Sequence, residues 1–148
     1  MKALKLILIA FFPLMLACSG NGNSGNENAK VDEPTDARSY VDSNSYIDVD
    51  IEELAKAQAI SGPDSIDKSD IAKAKAAIYR FYKNVDMKDG KYSCSASKGS
   101  DINVSDKVFG ALLNNLNDMN RWLEEAKERG DSVITFTPDS AYLESLLK

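Results

Sequence analysis

Along the chain, apolar positions fall into four regimes. Residues 6–16 read LILIAFFPLML, an unbroken apolar run of eleven. From Ser19 to about Ser45 the chain is SGNGNSGNENAKVDEPTDARSYVDSNS, with almost no apolar period. Helical spacing then takes over and holds, with interruptions, to Lys148. The interruptions themselves alternate and predict short strands.

The helical part opens at Asp50, where Asp50 and Glu53 form a D-x-x-E capping pair and Val49 can staple onto Leu54. Ile51, Leu54 and Ala55 mark the inner face of this first helix, and Gly62-Pro63 ends it. A second helix is expected over Ser69 to Val85, with Ile71, Ala74, Ile78, Phe81, Tyr82 and Val85 inward. The third runs from Ser105, its N-cap, to Arg129, with Gly130 just beyond. Its stripe is Phe109, Leu112, Leu113, Leu116, Met119, Leu123 and Ala126. Gly110 costs about 1 kcal/mol there relative to alanine, and close helix packing is the expected reason for it. A last helix is expected from Thr137-Pro138, with Tyr142, Leu143, Leu146 and Leu147 inward.

Between the helices, Lys88-Asp89-Gly90-Lys91 reads as a tight hairpin turn followed by alternation at Tyr92, Cys94 and Ala96. Ile102 with Val104, and Val133 to Phe136, are further strand candidates. The fold class expected is mainly α, three to four helices with a small β-hairpin or short sheet, with α+β as the alternative.

The apolar run is too short to cross a membrane, which needs roughly 20 residues, and it carries Pro13. With Lys2 and Lys5 ahead of it, it reads as the hydrophobic region of an export signal. Met15, Leu16, Ala17 and Cys18 follow as the end of that run. In this combination the segment resembles the bacterial lipoprotein signal, although Met15 stands where that box usually has leucine. The resemblance implies cleavage before Cys18 and lipid attached to Cys18, the expected lipidation site. Ser19, not aspartate, follows the cysteine, which by the same resemblance implies the outer membrane. The implied location is the bacterial cell envelope, with the membrane contacted through an N-terminal lipid. The organisation expected is therefore a signal peptide over 1–17, a lipidated Cys18 with a disordered tether over 18–45, and a globular domain over 46–148. Such a Gly/Asn/Ser-rich tether cannot bury enough surface to offset chain entropy.

Charge and composition narrow the function. The formal net charge is -5, and an acidic chain lacks the basic footprint that nucleic acid requires. There is no histidine, the commonest general base and metal ligand, and two cysteines do not make a zinc site. No cofactor or metal is expected. The charge is uneven, however: residues 19–67 carry -8, residues 68–98 carry +5 and residues 99–148 carry -4. Lys68, Lys73, Lys75, Arg80, Lys83, Lys88, Lys91 and Lys98 are thus a candidate anion-binding face, set against a plain solvated helix face.

Sharper motifs carry less. Ser95-Ala96-Ser97-Lys98 matches the S-x-x-K of serine–lysine acylases, but that chemistry needs the serine to open a helix. Asp42 to Glu53 places Asp, Asn and Glu at the first, third and twelfth positions of an EF-hand loop, with Tyr46 and Ile47 at the fifth ligand and the glycine. Cys94 is expected as a small packed hydrophobe or as an intermolecular disulfide partner. Trp122, Tyr79, Tyr82 and Tyr92 could form an aromatic ligand face, with the edge of the core as the preferred reading. The stretch Ala77 to Tyr92 also resembles the opening helix of cystatin-fold NTF2-like envelope proteins. The long antiparallel strands of that fold are missing, so no function is carried over. The expectation is a non-enzymatic accessory or interaction module with a protein partner in the envelope. The alternatives are a small envelope hydrolase, an inhibitor-type protein or an anion-binding protein.

Overall fold

The computed structural model describes residues 6–7, 33–62 and 66–148, and Cys18 with the rest of the lipoprotein-like signal lies outside them. The fold is mainly helical with a small antiparallel hairpin. In chain order it comprises β1 (Leu6–Ile7), α1 (Ala37–Ser43), α2 (Ile51–Ser61), α3 (Lys68–Tyr82), β2 (Val85–Lys88) and β3 (Lys91–Cys94). A 3-10 turn (Gly99–Ile102), α4 (Asp106–Glu128), β4 (Ser132–Val133) and α5 (Ser140–Ser145) complete it. The helix α4 is the spine: α3, the hairpin, the 3-10 turn and the start of α2 all pack on it, while α1 packs on α3. β1 and β4 form a two-residue parallel pair.

Local chemistry sets most of these boundaries. Asp50 caps α2 by accepting from the Glu53 N–H at 2.9 Å, as its spacing to Glu53 predicts. Ser105 does the same for α4 through the Val108 N–H. Gly62 closes α2 at φ +80° and donates to the Gln58 carbonyl. Asp89 and Gly90 both have positive φ, the geometry a two-residue hairpin needs to match strand twist. Register then pairs Val85 with Cys94 and Met87 with Tyr92.

Five expectations are corrected. The tether does not extend to residue 45, because α1 stands at Ala37–Ser43 with Ala37 and Tyr40 buried. Asp36 caps it, accepting from the Arg38 and Ser39 N–H groups. The second predicted helix stops at Tyr82, and Val85 instead opens β2. Ile102 lies in the 3-10 turn, and Val104 makes only an isolated parallel bridge to Ile47. Of Val133 to Phe136, only Val133 is in a strand. The last helix starts at Ser140, with Asp139 accepting from the Tyr142 N–H as its cap.

The core lies between α3, α4 and the hairpin. Ala74, Ala76 and Ala77 are fully buried on α3, and such short side chains let neighbouring helices come close. Phe81 sits at the centre, edge-on to both Tyr82 and Phe109. Gly110 is not where the helices are tight: a Cβ there would meet nothing within 4 Å. Gly110→Ala should therefore raise stability by about 0.4–1 kcal/mol through helix propensity and a less flexible unfolded chain. A higher urea midpoint at unchanged m-value is the expected reading, and a lower midpoint would show a contact that the backbone does not reveal.

Candidate functional site

The eight basic residues singled out by charge do not form one face. Arg80 is buried at 6% exposure, inside the fold. Its guanidinium donates to the Ser45 carbonyl at 2.7 Å, the Asn103 carbonyl at 3.0 Å and the Tyr40 carbonyl at 2.5 Å. It thereby ties α3 to the last turn of α1, to the segment before α2 and to the loop before α4. Burial pulls its pKa below the ordinary arginine value, and it remains a cation because that value starts so high. Lys73 is bonded to Glu33 at 2.5 Å, which holds the Glu33 carboxyl below the usual range and raises the lysine. Lys91 pairs with Glu124 on α4, and Lys75 donates to the Lys148 carbonyl. Lys68, Lys83, Lys88 and Lys98 are exposed and could meet an anion.

Placing the chain around Arg80 also explains the EF-hand-like stretch. Ile47, at the position of the loop glycine, is 1% exposed. Its N–H donates to the Asn103 carbonyl and its carbonyl accepts from the Ser105 N–H, so this stretch is a strand-like bridge into the core. Among the described residues no cluster of three or more His, Cys, Asp or Glu side chains could hold a metal ion.

The SASK stretch lies between β3 and the 3-10 turn, so Ser95 does not open a helix. Ser95 is exposed, and both its N–H and its hydroxyl donate to the Asn84 carbonyl. Cys94 is half-buried and free of any disulfide, and burial pushes its thiol above the ordinary value. A raised thiol pKa keeps it protonated and a poor nucleophile.

A cleft of about 290 Å³ lies between the start of α2 and the first turns of α4, lined by Val49, Asp50, Glu52, Lys107, Gly110 and Asn114 among others. Two of its charged groups pair with each other. Lys107 bonds Asp50 at 2.6 Å and is the main reason the Asp50 carboxyl sits below the usual range. The same carboxylate caps α2.

The aromatic residues form part of the core. Tyr92 stacks on Phe136 with centroids 4.7 Å apart, and Phe136 stacks on Tyr142 at 4.5 Å. Tyr82 meets Phe136 and Tyr142 edge-on. The Tyr92 hydroxyl donates to the Phe136 carbonyl and accepts from the Phe136 N–H, clamping one residue by both backbone groups. Asn120 on α4 clamps Tyr92 in turn: its side chain accepts from the Tyr92 N–H and donates to the Tyr92 carbonyl, both at 2.7 Å. An amide that mimics a neighbouring strand in this way covers the open edge of β3. Trp122 is half-buried on α4, and Tyr79 lies under the Arg38 guanidinium. Neither Arg80 nor Asn120 carries a local sequence signal for its role, since both act across the fold.

Comparison with family models, with curated proteins and with solved structures gave no match.

Proposed function

We propose that this protein is a lipid-anchored lipoprotein of the bacterial cell envelope, held at the outer membrane through Cys18. Its folded part then serves as a non-catalytic accessory or interaction module with a protein partner in the envelope. The observation that carries this reading is the order of Lys2 and Lys5, the apolar run at 6–16, and Met15-Leu16-Ala17-Cys18 at its end. Two or three acyl chains on one cysteine make a lasting anchor, whereas a single chain binds only marginally. No helix among the described residues is long and apolar enough to cross a membrane. The non-catalytic part of the reading is supported by how the polar side chains are used. Arg80, Asp50, Asn120 and the Tyr92 hydroxyl are each committed to backbone or ion-pair contacts.

The four exposed lysines favour one second reading, weak attraction to an anionic surface, which salt would screen.

Mass spectrometry of the mature protein purified from membranes tests the anchor. The expected N-terminal peptide begins at Cys18 and carries acyl and diacylglycerol mass; β1 and its two-residue pairing with β4 would leave with the cleaved segment. Cys18→Ala should lose that mass and leave the protein in its uncleaved form. An unmodified Cys18, or normal maturation of the alanine variant, would overturn the proposal.

A further inference from the structure

Phe136 is a fixed point, and the chain beyond it is not fixed in the same way. Tyr92 clamps Phe136 by both backbone groups, and Asn120 fastens Tyr92 to α4. None of those bonds involves α5. The helix α5 has only six residues, none of them buried. Helices of that length do not hold themselves up, because nucleation is costly and few bonds follow it. Its attachment is a short set of contacts. Tyr142 lies on the ring of Phe136 and against the edge of Tyr82, and Leu143, Leu146 and Leu147 are partly buried against the core. At the periphery Glu144 pairs with Arg38 of α1, with both side chains well exposed, and the Lys148 carbonyl accepts from Lys75.

We infer that residues 139–148 form a strap that opens as a unit about Thr137-Pro138 while Phe136 and the core remain folded. Opening lifts Tyr142 from the face of Phe136 and breaks the Arg38–Glu144 latch. Among the described residues, the other hydrogen bonds of α5 run within the strap itself, for example the Asp139 carboxylate accepting from the Tyr142 N–H and the Asp139 carbonyl accepting from the Leu143 N–H. Closing is driven by the ring contacts of Tyr142 and three partly buried leucines. Segments with little buried surface and exposed latches belong to the least stable cooperative units of a fold. Because an exposed ion pair is screened by salt, the open fraction should rise with ionic strength.

Native-state hydrogen exchange on the full chain, read by NMR at low denaturant, tests this. The Tyr142, Leu143 and Leu146 amides are expected to exchange with one common opening, at least ten-fold faster than Leu116 in α4. The Phe136 amide, bonded to the Tyr92 hydroxyl, should stay with Leu116. Glu144→Gln should speed strap exchange by about two- to five-fold, the range of an exposed ion pair, and leave Leu116 unchanged. Strap amides that exchange no faster than Leu116, or a Phe136 amide that opens with the strap, would overturn the inference. A Glu144→Gln variant with unchanged strap exchange would remove the latch from it.

Discussion

Arg80→Ala is expected to destabilise the domain by about 3 kcal/mol or more, because charge-assisted bonds to three carbonyls are lost together. The loss is not spread evenly. The Asn103 carbonyl keeps its bond from the Ile47 N–H, and the Tyr40 carbonyl keeps one from the Ser43 hydroxyl. The Ser45 carbonyl is served by the guanidinium and is hit hardest. A cavity of several methylenes is left as well, since the Arg80 stem is buried with its head. Arg80→Lys should fall between the two, since one ammonium cannot span three acceptors that a planar fork reaches. Urea unfolding followed by circular dichroism is the measurement. A loss under about 1 kcal/mol for the alanine variant would mean that water serves these carbonyls as well as arginine does.

The second large effect belongs to Gly99→Ala. A Cβ at Gly99 would sit 2.5 Å from the Val104 carbonyl oxygen and 2.7 Å from that of Ser105. These are backbone atoms, and they have little room to move. The Val104 N–H already donates back to the Gly99 carbonyl, and the Ser105 N–H donates to Ile47 in the bridge. Relief of the clash must therefore open the 3-10 turn, the bridge or the first turn of α4. The cost expected is about 3 kcal/mol, at the upper end for overpacking. Paired with Gly110→Ala, it makes a sharp contrast: the same added methyl, opposite signs, and eleven positions apart in the chain. Equal effects at the two glycines would show that backbone propensity outweighs space at both.

That contrast marks where the sequence is legible and where it stops. The caps at Asp50 and Ser105, the Asp89-Gly90 turn and the long stripe of α4 are local, and each element stands within a few residues of its prediction. The helix α1 was hidden by composition. Its seven residues carry only Ala37, Tyr40 and Val41 as an apolar face, beside two serines, an aspartate and an arginine, within a polar stretch that reads as linker. What holds it as a helix is largely tertiary: α3 supplies the surface that buries Tyr40 and the guanidinium that donates to the Tyr40 carbonyl. Arg80 was hidden in a run of like charges. Seven of the eight are lysines whose stems can reach water, and the acceptors that turn the lone arginine inward, the carbonyls of Tyr40, Ser45 and Asn103, lie far along the chain. The two glycines look alike in sequence, because whether a Cβ has room depends on segments far along the chain.

The presence of α1 bears on how far the domain can stand from a membrane. Were Cys18 the anchored residue, as proposed, the span from anchor to domain would end near Glu33, where bonding to Ser69 and Lys73 begins, and not near residue 45. About 15 residues at full extension reach at most about 50 Å, and a coil of that length averages roughly 20 Å. Under the anchoring proposed at Cys18, a leash of that average length would keep the domain near the lipid surface, where a partner would have to meet it.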